Sequence, residues 1–144
     1  MTNTLTREQR MEALGIADEA ALVDLADRVL DSVEVEVLRG PSVGLLMVRA
    51  EEPSDRLPFN LAEVTVSEAE VSAEGDRGYA MVMGRCPEKA LAGAILDVAV
   101  ERGHPLSAEI ESLLQHAVAT EEERVRRELQ RVAPTRVRFE EILQ

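Results

Sequence analysis

Cys86, His104 and His116 are the side chains of this chain best suited to nucleophilic or metal chemistry, and their spacing supports neither. Metal ligation needs His, Cys or carboxylate groups that converge; the two histidines stand far apart in sequence, with Cys86 distant from both. A thiol at the start of a helix opened by Pro87 would be activated by the helix dipole. A nucleophile also requires a base, and nothing in the sequence places a histidine beside it. A small hydrolase using Cys86 with His104 or His116 therefore stands only as an enzyme-class alternative. Gly40, Gly44, Gly75, Gly78 and Gly84 form neither G-x-G-x-x-G nor a Walker loop, so nucleotide binding by this chain alone has no motif. The pairs Glu34/Glu36 and Glu68/Glu70 fall on presumed solvent faces of strands, where carboxylates serve solubility more than acid–base work. The polar residues that stand out are of another kind: Arg39 and Arg49 flank a two-strand unit, Asn60 and Glu63 interrupt an apolar run, and Arg85 closes a strand. An arginine fork suits bidentate carboxylate or phosphate contacts across an interface.

The elements that must position these residues follow from hydrophobic period and punctuation. Thr6-Arg7-Glu8-Gln9 has capping-box form and opens a short helix ending near Gly15. Asp18 caps a second helix, whose stripe is Ala21, Leu22, Leu25, Ala26, Val29 and Leu30. Val33-Glu34-Val35-Glu36-Val37 then alternates as a half-buried strand, and Arg39–Gly44 reads as a tight reversal into a second strand at Leu45–Val48. A third strand is expected over Phe59–Val71, with a bulge or bend near Ser67 to reconcile Val64 and Val66 with Ala69 and Val71. Hairpin chemistry at Glu74–Gly78 feeds a fourth strand, Tyr79–Gly84. Pro87 opens a helix with the stripe Ala90, Leu91, Ala94, Ile95, Val98 and Ala99. Ser107 caps the last helix, striped by Ile110, Leu113, Leu114, Ala117 and Val118 and stopping by Pro134. The expectation is one α+β domain over 1–144: two N-terminal helices, a mostly antiparallel four-strand sheet and two C-terminal helices.

Composition narrows the function classes. The 144 residues are 45% hydrophobic but only 2% aromatic, with no Trp and one Tyr, so neither a base-stacking platform nor an aromatic cage can be built. A net charge of −12 disfavours nucleic acid and anionic membranes. The segment 124–138 departs from this, with six arginines against Glu128 alone. It reads either as a docking surface for an acidic partner or as a solvated helix face paired to Glu121–Glu123. A lone cysteine and the lack of a signal or spanning stretch lead to the expectation of a cytoplasmic protein.

Residues 39–50, R-G-P-S-V-G-L-L-M-V-R-A, followed by P-F-N-L-A-E-V-T-V at 58–66, resemble the G subunit of the carbon–phosphorus lyase core complex of bacterial phosphonate catabolism. Gln9–Leu14 is similar to that family's N-terminal helix, and Glu36–Arg39 precedes the turn as it does there. Gly78-Tyr79 leads into Met83-Gly84-Arg85, and Ala133-Pro134-Thr135-Arg136-Val137-Arg138-Phe139 is similar to its A-A-T-R-V-D-F-F. The chain is a divergent member. The family's glycine-rich loop is Glu52-Pro53-Ser54-Asp55 here, its N-L-G-E is Asn60-Leu61-Ala62-Glu63, and its C-terminus is shortened to Phe139–Gln144. The resemblance implies a subunit, with I-type, H-type and J-type subunits as partners and self-association open to the isolated chain. It implies support of a reaction in which a phosphonate displaces adenine from ATP to give ribose 1-phosphonate 5-triphosphate, with the L subunit also involved. It implies no cofactor bound by this chain, ATP being a substrate of the complex, and no catalytic residue. Arg39, Arg49, Asn60, Glu63, Arg85, Thr135 and Arg136 become candidates for partner contact. The rival reading is an acidic homodimeric module unrelated to phosphonates.

Overall fold

Local signals at the helix starts are realised in the computed structural model, which describes residues 4–137. Thr6 accepts the Gln9 N–H at 3.2 Å while the Gln9 side chain accepts the Thr6 N–H at 2.9 Å, opening α1 (Arg7–Ile16). Asp18 accepts the Ala21 N–H at 3.0 Å and opens α2 (Glu19–Leu30). After the sheet come α3 (Pro87–Glu101), with proline in its first turn, and α4 (Ser107–Val132), closed by a 3-10 turn at Ala133–Thr135. Ser107 is the first helical residue of α4, not its cap: Leu106 holds the cap position, and the His104 Nδ1 accepts the Leu106 N–H at 3.1 Å.

The sheet has three antiparallel strands, β1 (Glu36–Glu51), β2 (Pro58–Ala73) and β3 (Asp76–Met83), in that order. Expected as four, they are three because Arg39–Gly44 does not reverse. β1 continues through it, and two residues more than its partner uses are absorbed between Val37 and Ser42. Such bulges bend a strand without ending it. Gly40 sits at φ +74, and a Cβ there would lie 2.5 Å from the Glu68 carbonyl oxygen, so this position requires glycine. Local Gly-Pro chemistry signals a turn; pairing with an unbroken β2 overrides it. Nor does β2 bulge at Ser67. Its ladder to β3 runs in register from Val66 to Ala73, and Ser67 belongs to the core face with Ala69, Val71 and Ala73. The Ser67 hydroxyl makes burial tolerable by donating to the Gly84 carbonyl at 2.8 Å and accepting the Cys86 N–H at 2.9 Å. A two-residue turn joins β2 to β3, with Glu74 at φ 48 and Gly75 at φ 94.

Helices cover one face of the sheet's base. α3 lies directly on it, so the helix is buried nearly all round, including Ala92, Gly93, Leu96 and Asp97 beyond the expected stripe. Gly78 permits this approach: a Cβ there would overlap the Ala94 carbonyl oxygen. Leu14, Leu22, Leu96, Ile110 and Leu114 fill the core, each contributing about 1.5–3 kcal/mol by burial. Asp97 is fully buried and satisfied. It accepts from Arg10 Nε at 2.9 Å, Arg7 Nη2 at 2.8 Å and the Tyr79 N–H at 3.0 Å, while Arg10 also pairs with Glu101. The Asp97 carboxylate raises the Arg7 pKa further, mainly through this hydrogen bond.

Candidate functional site

β3 pairs with β2 only as far as Val66, whereas β1 follows β2 to Pro58. Residues 45–65 therefore form a two-stranded arm that extends past the helix-backed base. Directly opposed residues of an antiparallel pair share a face, so the register sorts the arm's side chains. On the face turned away from the helix side lie Leu46 with Val64, Val48 with Ala62, and Ala50 with Phe59. That face is wholly apolar. On the other lie Leu45 with Thr65, Met47 with Glu63, and Arg49 with Asn60. Leu45 is 68% exposed, Leu61 60% and Leu57 62%, and Leu46, Met47 and Phe59 are also open to solvent. Large apolar side chains are thus open to solvent on both faces of the arm and at its tip, whereas those on an ordinary monomer surface are scattered singly.

The tip of the arm is ordered by its own hydrogen bonds. Glu52 accepts the Ser54 and Asp55 N–H groups at 3.0 and 2.8 Å, and its backbone bonds Leu57 and Arg56. These donors, Asp55 first, hold the Glu52 carboxyl below the usual carboxylate range. The loop that replaces glycines in the resemblance is thus built around one acidic side chain.

Three of the residues singled out from sequence, Arg49, Asn60 and Glu63, come together on one face of the arm. Arg39 is separate, at the base, where its guanidinium lies 3.7 Å from Glu70 on the outer face. Arg85 is exposed where β3 leaves β2, just after the Gly84 N–H bonds the Thr65 carbonyl at 2.8 Å. Thr135 and Arg136 lie at the far end of α4, and Thr135 bonds the Val132 carbonyl at 2.6 Å. α4 has no buried residue beyond Leu114. Its arginines form intrahelical pairs, Arg124 with Glu121 and Glu128, and Arg126 and Arg127 with Glu123. Among the described residues Arg131 and Arg136 have no acidic partner. Arg138, Phe139 and the shortened C-terminus lie outside the described residues.

No hydrogen bond joins Cys86 to a histidine. Its thiol donates to the Met83 carbonyl at 3.4 Å, and His104 bonds Ser32 Oγ at 2.9 Å from the other end of α3, a helix whose 15 residues span about 22 Å. Among the described residues no group of His, Cys, Asp or Glu could hold a metal ion, and no helix is long and apolar enough to cross a membrane. The apolar strand at Leu45–Val48 was visible in the sequence; the buried Arg10–Asp97 pair was not, since it joins residues 87 positions apart.

A family described as phosphonate metabolism protein PhnG matches residues 5–143. A Rhizobium meliloti (strain 1021) protein named alpha-D-ribose 1-methylphosphonate 5-triphosphate synthase subunit PhnG is 35% identical over 135 residues, covering 91% of this chain and 86% of the relative.

Proposed function

The chain belongs to the family of the phosphonate metabolism protein PhnG, and we propose that it is a non-catalytic subunit of the assembly that forms ribose 1-methylphosphonate 5-triphosphate, the carbon–phosphorus lyase core complex. In that reaction the bond from ribose to adenine in ATP breaks, a bond from the same carbon to a phosphonate oxygen forms, and adenine leaves. This chain supplies none of the reacting groups and binds no cofactor. Its work is to hold partner subunits in place, with I-type, H-type and J-type chains as the partners, in the cytoplasm.

The observation that carries this reading is the arm, whose uninterrupted apolar face of Leu46, Val48, Ala50, Phe59, Ala62 and Val64 nothing in the described chain covers. A continuous apolar face open to solvent marks an interaction site. Arg49, Asn60 and Glu63, on the opposite face, serve as polar contacts beside it, with Arg39, Arg85, Thr135 and Arg136 as outlying ones. The test is co-expression with the other synthase subunits. A Leu46→Asp/Val64→Asp chain keeps its own circular dichroism spectrum but is lost from the purified assembly, and synthase activity falls with it. Full incorporation of that variant would refute the reading.

A further inference from the structure

The arm has an open backbone edge as well as an apolar face. β3 occupies the edge of β2 from Val66 to Ala73 and then departs, turned away by Gly84 at φ +95 and by the Ser67 hydroxyl bridging Gly84 and Cys86. β2 runs on for eight more residues, Pro58–Thr65, without it. The Thr65 carbonyl points to this edge, because it accepts the Gly84 N–H. Backbone direction alternates along a strand, so Glu63, two residues nearer the tip, presents its N–H and C=O to the same side. No strand of the described chain lies there.

We propose that this edge, centred on Glu63, takes up an extended segment of a partner subunit that lies in line with β3 and continues its ladder toward the arm's tip. The inference rests on the docking reading and says how docking is made. Strand addition satisfies the open backbone groups and leaves side-chain alternation to set specificity. Here the alternation is asymmetric. On the outer face the added strand meets Ala62, Val64 and Met83, and so presents apolar residues. On the helix-side face it meets Glu63, which has no ion pair among the described residues. The occupant is therefore an alternating apolar segment with Lys or Arg placed opposite Glu63, and Arg85 at the end of β3 receives its following carboxylate or chain end.

Glu63→Pro is the decisive variant, because proline is tolerated at an edge whose N–H faces outward and removes only that donor. In co-expression with the other synthase subunits, the folded Glu63→Pro chain is recovered in the assembly at about a tenth of the wild-type yield or less, and Glu63→Lys at a several-fold reduced yield. Wild-type recovery of Glu63→Pro, beside loss of Leu46→Asp/Val64→Asp, would overturn strand addition and leave docking by the apolar face intact. Undiminished recovery of both would overturn both. Should Glu63→Pro fail to fold, amide exchange of the unmodified chain decides: the Glu63 amide is slowed on the order of 100-fold in the assembly relative to the free chain, and equal exchange rates would overturn the proposal. A dimer of the isolated chain that protects this amide would also overturn it, by making a second copy the occupant.

Discussion

β2 passes through two environments along one continuous strand, while its partner β1 stays exposed or half-buried throughout. At the base, Ala69, Val71 and Ala73 lie under α3, and Gly78 and Gly93 let helix and sheet approach until side chains interdigitate. In the arm, the same strands carry residues as apolar as the core, yet solvent reaches both faces. Hydrophobicity alone does not distinguish the two regions. What differs is the chain's own supply of a covering layer, which ends where β3 turns away. On the proposed reading the base serves stability and the arm association, so substitutions should separate the two properties.

The largest separation is expected at Asp97. Asp97→Ala leaves Arg10, only 3% exposed, without its main partner and costs about 3–5 kcal/mol in chemical denaturation; a loss under about 1 kcal/mol would show that the network is not what secures the base. Ser67→Ala, at the boundary, strips the Cys86 N–H and Gly84 carbonyl of their bridge and costs about 1–3 kcal/mol. It also frees the end of β3, read as faster exchange of the Cys86 amide, and unchanged exchange would place the boundary elsewhere. The smallest effect lies at the tip. The Glu52 carboxyl titrates below its ordinary 4.5 because it accepts two backbone N–H groups. A carboxyl lowered by folding contributes stability that is present above the unfolded value and is lost as pH falls through the folded one. Acidification below about pH 4.5 should therefore shift the Ser54 and Asp55 amide resonances and loosen the tip while the base's resonances hold. Coincident loss of both regions would erase the distinction between them.

Much of the base was legible in the sequence because its signals are local. The Thr6/Gln9 capping box, the Asp18 cap, Pro87 at a helix start and the stripe Leu22, Leu25, Ala26, Val29 need only neighbouring residues to be read. Two features were not legible because they are settled across the chain. Gly40–Gly44 looks like a turn until β2 holds it extended, and Asp97 looks solvated until α1 supplies Arg7 and Arg10 from 90 and 87 residues away. For the site, Asn60 and Glu63 were read as interruptions of an apolar run, and Arg49 as a flank of the two-strand unit. Their shared face required the register, including the bulge between Val48 and Arg49, which no single strand reveals.

The separation of 87 residues between Arg10 and Asp97 also has a kinetic meaning. The Glu74–Gly75 turn joins adjacent strands, and a hairpin of this kind closes in about 1–10 μs; bringing α1 to α3 closes most of the chain and bears a loop entropy that grows with its length. The ion pair is thus expected to close late, after the more local contacts of the sheet. An interaction absent from the folding transition state slows unfolding and leaves the folding rate nearly unchanged. Asp97→Ala should therefore speed unfolding while leaving the folding rate nearly unchanged, read from the two limbs of a denaturant chevron.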